Sequence, residues 1–200
     1  TYIKLPFITK PFNDRVAFIK RYKKWAQKKY PDMAIKMSEW THMQGGRDYG
    51  MDSALEQAKI MIEDIGFMDA ASWQHWIAVS EVDYCDGLIY INIPENTFEI
   101  TKRYYVTGNY TKYISLGAKR IDASVDDEDV LITAFKDEEK ITLVIVNKSE
   151  TEKPVTVPCC KKFLVAVTDK NNDLSETECE GDSLVLNPRS VTTVVWKNEG

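Results

Sequence analysis

Glu39 is the residue of this sequence whose position most directly suggests chemistry. It follows a short segment, residues 34 to 38, that reads as a buried strand, and it precedes the aromatic Trp40. An ionised carboxylate at the end of such a strand must face water or be held by partners, because burying an unpaired charge costs several kcal/mol or more. It could act as a nucleophile or base. The plainer interpretation is a rim glutamate in an ion pair.

Other kinds of chemistry find little support in the residue pattern. His42 and His75 are the only histidines, and neither has a partner at metal-ligand spacing. The four cysteines show no C-x-x-C spacing and are expected to be free thiols. The glycine-rich loop at residues 44 to 50 lacks the phosphate-loop arrangement and more plausibly shapes a cleft. The sequence therefore predicts no metal and no cofactor.

The composition predicts a globular protein and excludes some partners. Of the 200 residues, 44% are hydrophobic and 11% aromatic, enough for a packed core. The net charge of −5 and pI near 5.2 argue against nucleic acid and anionic membranes as partners. No apolar run reaches the length of a membrane span, and no signal peptide is evident. Because the chain starts at Thr1 without methionine, we expect a piece of a longer protein.

The first half of the chain alternates predicted helices and strands. A helix from about residue 14 to 29, capped by Asn13 or Asp14, precedes the strand at residues 34 to 38. After the loop, a second helix is predicted to open at Asp52 or Ser53, with Ser53 and Glu56 as a capping box, and to close at Gly66. An apolar run at residues 70 to 79 follows. This order is typical of parallel α/β units, whose sites gather at the carboxyl ends of strands.

The second half changes character. A β segment at residues 87 to 92 and a last helix at 101 to 115 are followed by seven short candidate strands with polar turns. These are residues 118–123, 130–135, 141–146, 154–157, 163–168, 183–186 and 190–196. Such a pattern predicts a β-sandwich. We place the domain boundary between residues 116 and 117.

Three segments resemble the carboxyl-terminal part of glycoside hydrolase family 30. Lys36-Met37-Ser38-Glu39-Trp40 is similar to the family's seventh barrel strand, and Ser72-Trp73-Gln74-His75-Trp76 to its eighth. The run from Asp86 to Ile121 is similar to its last barrel helix leading into the side domain. The resemblance implies the last strands and helices of a (β/α)8 barrel at residues 1–116 and a β-sandwich at 117–200.

The resemblance also implies the roles of the site residues. Glu39 matches the nucleophile of a retaining glycosidase, whose acid/base glutamate lies on the fourth strand, outside this chain. Trp76 looks like the tryptophan that packs against sugar in the minus-one subsite, whereas for Trp73 a core role is equally open. Trp40 should point to the other side of its strand from Glu39.

Three loop residues complete the predicted site. His42 could line the cleft, and Arg47 or Tyr49 could reach substrate hydroxyls. The loop acids Glu81, Asp83 and Asp86 are expected to be solvated.

The function that follows is hydrolysis of a β-linked polysaccharide such as β-1,6-galactan or xylan, by double displacement. The expected partners are the polysaccharide or an oligosaccharide and either a missing amino-terminal barrel segment or a second copy of the chain. The isolated chain is expected to be inactive. The family resemblance implies an extracellular or periplasmic location. The alternative is a non-catalytic carbohydrate-binding or structural β-sandwich module, which an upstream coding region lacking the other barrel strands would favour.

Overall fold

The computed structural model describes residues 15–158 and 162–199 of the chain. The predicted cap at Asn13 or Asp14 and the adjacent Cys159 and Cys160 lie outside the described residues. Cys85, which is buried, and Cys179 are both free thiols, as predicted.

Helices and strands alternate in the amino-terminal part. The elements are α1 (Arg15–Lys29), β1 (Ile35–Trp40), α2 (Met51–Phe67), β2 (Ala70–His75), β3 (Val79–Ser80), β4 (Ile89–Asn92), β5 (Thr97–Ile100) and α3 (Lys102–Thr111). β1 and β2 pair in parallel, so β1, α2 and β2 form the parallel unit that the sequence predicts. Among the helices of the described ranges, none has the length and apolarity needed to cross a bilayer.

The strand that carries Glu39 differs from the expectation of a buried run. β1 extends to Trp40, so Glu39 lies within the strand rather than beyond its end. Lys36, Ser38 and Glu39 are exposed, whereas Met37 packs beside the small core under α1. A strand is buried on both faces only when both are covered. In the described part of the chain, the β1–β2 sheet is covered on its helix side alone.

The start of α2 also corrects a prediction. The helix begins at Met51 with Gly50 as N-cap, so Ser53 is its third residue and cannot open a capping box. Asp48 takes over part of that role, since its carboxylate accepts the N–H groups of Gly50 at 2.7 Å and of Ser53 at 2.8 Å. These bonds satisfy backbone donors that the first turn of a helix leaves unpaired.

A hairpin separates β2 from α3. β4 pairs in parallel with β3 and antiparallel with β5. The sequence analysis predicts a β segment at residues 87–92 but not its return strand β5, which has only four residues and is exposed along its whole length. α3 then ends at Thr111, four residues before the predicted end.

Two sheets form the carboxyl-terminal part. The strands are β6 (Lys119–Ile121), β7 (Val130–Lys136), β8 (Lys140–Asn147), β9 (Lys153–Thr156), β10 (Lys162–Thr168), β11 (Asp173–Glu180), β12 (Ser183–Leu186) and β13 (Ser190–Lys197). Six of them make an antiparallel sheet in the order β11-β10-β13-β8-β7-β6, and β9 pairs with β12. The predicted boundary at residue 117 falls in the link between α3 and β6 and stays a prediction.

β11 is a strand that the sequence pattern misses. It carries Glu176, Glu178 and Glu180, all exposed, and it lies at the edge of the six-stranded sheet. Charged residues on an edge strand discourage pairing with other chains. The same charges remove the apolar alternation by which the other strands are predicted.

The six-stranded sheet is buried on both faces. On one face Val144, Val146 and Val191 pack with buried residues of α2 and α3. On the other, Leu143 and Ile145 pack with residues of the small β9–β12 sheet. Two facing sheets with a shared apolar core make this part a β-sandwich. Because both faces of the sheet are buried, residues 143–146 of β8 are all apolar and do not alternate with polar residues.

Asn109 joins α3 to the sandwich. Its amide nitrogen donates to the carbonyl of Ala166 at 3.1 Å and to the hydroxyl of Thr193 at 2.9 Å. Its amide oxygen accepts the Thr168 hydroxyl at 2.7 Å. Asn109 is fully buried, so these bonds are its substitute for water.

Replacing Asn109 by alanine should lower the free energy of unfolding by about 2–4 kcal/mol, because the Ala166 carbonyl and the Thr168 hydroxyl would remain buried without this partner. Urea denaturation of the chain measures the loss. Asn171→Ala, at an exposed turn, is the control and should change stability by less than about 0.5 kcal/mol. A loss below about 1 kcal/mol for Asn109→Ala would contradict the role assigned to this side chain.

Candidate active site

Two register shifts, one on each side of Met37, interrupt the pairing of β1 with β2 below Glu39. Met37 of β1 pairs with Trp73 of β2, and Trp40 pairs with His75, so three steps along β1 oppose two along β2. Such an extra residue re-aims side chains and is frequent next to active sites. As a result Glu39 is exposed on the uncovered face, and its carboxylate makes no hydrogen bond or ion pair with the described residues. Trp40 lies on the helix side, as predicted.

Trp76 lies beside the end of β1. Its N–H donates to the carbonyl of Trp40 at 2.8 Å, which continues the pairing of the two strands. The peptide bond between Trp76 and Ile77 is cis. The side chain is 51% exposed, which leaves an aromatic face open to a ligand. Glu39 and Trp76 therefore stand at the carboxyl ends of neighbouring parallel strands.

Three rings pack on the helix side of the same strands. Trp40 lies 5.6 Å from Trp73 and 5.9 Å from His75, measured between ring centroids, and Trp73 lies 6.3 Å from His75. We call Trp40, Trp73 and His75 the aromatic layer. It lies directly behind the backbone that carries Glu39.

Trp73 belongs to the core and not to the open face. Its indole N–H donates to Asp64 at 3.0 Å, and its ring packs against the core shared by α2 and the sandwich. Asp64 is fully buried and is paired with Arg15 of α1 at 2.5 Å. Burial raises the pKa of Asp64, against the opposing effect of Arg15. Of the two interpretations that the sequence leaves open for Trp73, the geometry agrees with packing.

His75 is partly buried, and its lowered pKa keeps the imidazole neutral at physiological pH. One ring nitrogen, Nε2, lies 2.7 Å from the carbonyl oxygen of Asp86 and is therefore assigned as the protonated nitrogen. Burial is the main cause that lowers the pKa of His75 to about 4. The side chain acts here as a packed ring with one hydrogen bond.

The loop after β1 is fastened to the loop after β3. Backbone bonds join Cys85 to Gln44 at 2.9 Å and Gly46 to Asp83 at 3.2 Å. Arg47 reinforces the junction by donating to the carbonyls of Glu81 and Val82 at 2.6 and 3.0 Å. These donors are thus occupied by backbone, so Arg47 holds the rim of the site in shape.

Tyr49 and His42 are also held by neighbours. The ring of Tyr49 packs on that of Tyr90 at 5.4 Å. For His42, Nδ1 lies 2.8 Å from a carboxylate oxygen of Glu56, and Nε2 lies 2.8 Å from the amide oxygen of Gln44. A substrate hydroxyl would have to displace one of these oxygens to reach the imidazole. The substrate contacts predicted for Arg47, Tyr49 and His42 stay predictions.

Arg103 is a structural centre that the sequence does not indicate. It is fully buried in α3, and its guanidinium donates to the carbonyls of Asp48 at 3.0 Å and Gly87 at 2.6 Å. Further bonds reach the Tyr90 hydroxyl at 3.1 Å, the Cys85 sulfur at 3.1 Å and the Ser53 hydroxyl. An arginine on a helix is normally solvated, so no sequence signal marks this one.

Asp48 balances this buried charge. Burial alone would raise the pKa of Asp48, but the bonds from Gly50 and Ser53 and the charge of Arg103 outweigh it and lower the pKa. The loop after β1, the start of α2 and α3 thus meet in one charged network. No group of three or more metal-ligating side chains occurs within residues 15–158 and 162–199.

Two domain models of one protein family match the sequence. O-Glycosyl hydrolase family 30 matches residues 6–90, and the glycosyl hydrolase family 30 beta sandwich domain matches residues 117–194. The chain belongs to glycoside hydrolase family 30. The resemblance seen in the sequence is thereby confirmed. No curated protein matches this family 30 chain.

Solved structures share its fold. A conserved exported protein from Bacteroides fragilis aligns with a TM-score of 0.80 and 21% identity, over 90% of this chain and 42% of that one. A family 30 endoxylanase from Clostridium papyrosolvens C71 aligns with a TM-score of 0.71 and 19% identity, over 88% of this chain and 45% of that one. An endo-β1,6-glucanase aligns with a TM-score of 0.61 and 18% identity, over 90% of this chain and 39% of that one. The family 30 chain thus spans less than half the length of these proteins.

Arg103→Met should destabilise the family 30 chain by about 3 kcal/mol or more, because several buried acceptors lose their donor together. Chemical denaturation measures this loss, and hydrogen exchange should show faster exchange at the Gly46 and Cys85 amides. Arg21→Met, on the exposed side of α1, is the control. Unfolding free energies within about 1 kcal/mol of wild type would refute the central role of Arg103.

Acidification should destabilise the chain through His75. The pKa of His75 is depressed from 6.5 to about 4 in the folded state, so the unfolded state binds more protons between these values. Stability is fully present above pH 6.5 and is lost as the pH falls towards 4. Between pH 7 and pH 5 the contribution should be about 1–2 kcal/mol. The pH dependence of urea unfolding should be weaker by that amount in His75→Gln, and equal dependence in both proteins would contradict the assignment.

Proposed function

We propose that this chain is the carboxyl-terminal portion of a retaining O-glycoside hydrolase that acts on a β-linked polysaccharide. One observation carries the proposal. In a chain of this family, Glu39 and Trp76 lie exposed at the carboxyl ends of two neighbouring parallel strands, and the Glu39 carboxylate makes no bond to the described residues. Active sites of barrel enzymes are built at that end of the strands.

Glu39 acts as the nucleophile of a double displacement. Its carboxylate attacks the anomeric carbon while a second carboxyl group, about 5 Å away, protonates the departing glycosidic oxygen. The second group then activates a water molecule, which releases the sugar from Glu39. The acid/base residue lies outside this chain. The absence of bonding partners for Glu39 among the described residues supports its role, since the carboxylate is not tied up in an ion pair.

The β1–α2–β2 unit provides the last two strands of a (β/α)8 barrel. The uncovered face of this sheet and the length of the matched structures, of which this chain spans between 39% and 45%, support this assignment. The partner is then the amino-terminal barrel segment or, failing that, a second copy of the chain. A two-stranded sheet with open edges is a template for pairing with further strands.

The substrate is a β-linked polysaccharide such as xylan or a β-1,6-linked glycan. The fold likeness to a family 30 endoxylanase and an endo-β1,6-glucanase supports this class. Trp76 stacks on the sugar in the minus-one subsite, and His42, Arg47 and Tyr49 shape the rim. Trp73 supports this site from behind the strand. The likeness to an exported protein agrees with an extracellular or periplasmic location.

Glu39→Gln in the parent enzyme should lower hydrolysis by about 10³-fold or more, because an amide cannot form the covalent intermediate. Activity is measured against a panel of xylan, β-1,6-glucan and β-1,6-galactan. The matched control is Glu178→Gln, at an exposed position of β11, which should keep wild-type activity. An unchanged rate in Glu39→Gln would overturn the assignment.

A further inference from the structure

We propose that the aromatic layer of Trp40, Trp73 and His75 positions the Glu39 carboxylate for attack on the substrate. This inference rests on the proposed function, in which Glu39 is the nucleophile. The three rings are positioning residues, since they pack on the helix side of the strands and act through the backbone of Glu39.

The bulge makes Glu39 dependent on its neighbours. In a regular ladder each residue is fixed by a partner, but a bulge leaves an extra residue unpaired. Here the register shifts on both sides of Met37, the second shift lies between Met37 and Trp40, and the Glu39 side chain has no bond to the described residues. The backbone at Glu39 is therefore held by the paired residues on either side of it, Met37 and Trp40, of which Trp40 is adjacent.

Trp40 is in turn held by two rings. Its centroid lies 5.6 Å from that of Trp73, at an interplanar angle of 38°, and 5.9 Å from that of His75, at 51°. Tilted aromatic pairs at such distances contribute about 0.5–1.5 kcal/mol each beyond the burial of their area. The indole of Trp40 thus has one preferred place.

Trp73 is locked by a buried carboxylate. Its N–H donates to one oxygen of Asp64, whose other oxygen accepts Arg15 of α1. Turning the indole of Trp73 away would leave a fully buried carboxylate oxygen without that donor, and such losses cost about 1–3 kcal/mol or more. Hydrogen bonds to a charged partner are also the stronger kind.

His75 closes the layer at the opposite end. Its Nε2 lies 2.7 Å from the carbonyl of Asp86, which also accepts the N–H of Ile77. The layer is therefore tied to α2 through Asp64 and to the loop after β3 through Asp86. A continuous series of contacts runs from these anchors to the residue next to Glu39.

Loosening this layer should move Glu39 without touching the sugar contacts. Misplacement of a reacting group by about 1 Å can cost about 10²-fold in rate. A partial loss of ring packing should therefore lower kcat more than it changes KM.

The test compares Trp73→Phe and Trp73→Leu in the parent enzyme, with kcat and KM measured on the panel polysaccharide that the wild type hydrolyses fastest. The phenylalanine keeps an aromatic ring and loses the N–H, whereas the leucine loses both. We expect kcat per folded molecule to fall about threefold in the first and about tenfold in the second, with KM within about twofold. Trp25→Leu, an exposed tryptophan of α1, is the matched control and should keep both constants.

Circular dichroism at the assay temperature gives the folded fraction used for normalisation. A purely packing role would lower the melting temperature in the same order while kcat per folded molecule stays constant, and that result overturns the inference. If the leucine variant does not fold, a wild-type kcat in the phenylalanine variant overturns it equally. Failure of the proposed function is recognised separately, by unchanged hydrolysis in Glu39→Gln.

Discussion

The buried guanidinium of Arg103 is the interaction on which the site end of the molecule depends. A buried charge is costly unless it is hydrogen-bonded, and five acceptors from the loop after β1, α2, the loop after β3 and β4 surround the two terminal nitrogens of this one. The position of the loop after β1 thus depends on α3, because Arg103 donates to Asp48, which lies 55 residues earlier in the chain. Glu39 stands at the base of that loop.

The sandwich extends this support to the rest of the fold. Because α2 and α3 lie against one face of the six-stranded sheet, the β1–α2–β2 unit and the sandwich share a core. Asn109 adds direction to this contact, since hydrogen bonds fix an orientation that apolar packing alone would leave less defined. If the sandwich supports the β1–α2–β2 unit, its large apolar interface with α2 and α3 is expected. Its other face, closed by β9 and β12, forms the second core.

The sequence predicts the elements whose apolar patterns are complete and misses those shaped by charge. β8 is found because burial on both faces leaves the apolar run at residues 143–146, whereas β11 escapes because its acidic residues belong to an exposed edge. Glu39 and Trp76 are singled out by a resemblance between short segments, and their roles stay a proposal. Their geometry depends on the bulge, and a bulge has no sequence signature of its own. Arg103 and Asp64 are missed for a common reason: charged residues are expected at the surface, and only the three-dimensional packing reveals their partners.

The burial of Asn109 and Asn147 has a consequence for how this protein can be produced. Asn109-Tyr110-Thr111 and Asn147-Lys148-Ser149 both match the acceptor sequence for N-linked glycans. In each asparagine the amide nitrogen that would carry the sugar instead donates two hydrogen bonds inside the fold, from Asn147 to the carbonyls of Thr151 and Asn187 at 2.8 Å. A glycan attached to either chain position before folding would prevent α3 from docking or the turn after β8 from closing. Hosts whose secretory pathway glycosylates nascent chains therefore work against this fold, and hosts without that machinery leave both asparagines free to complete it.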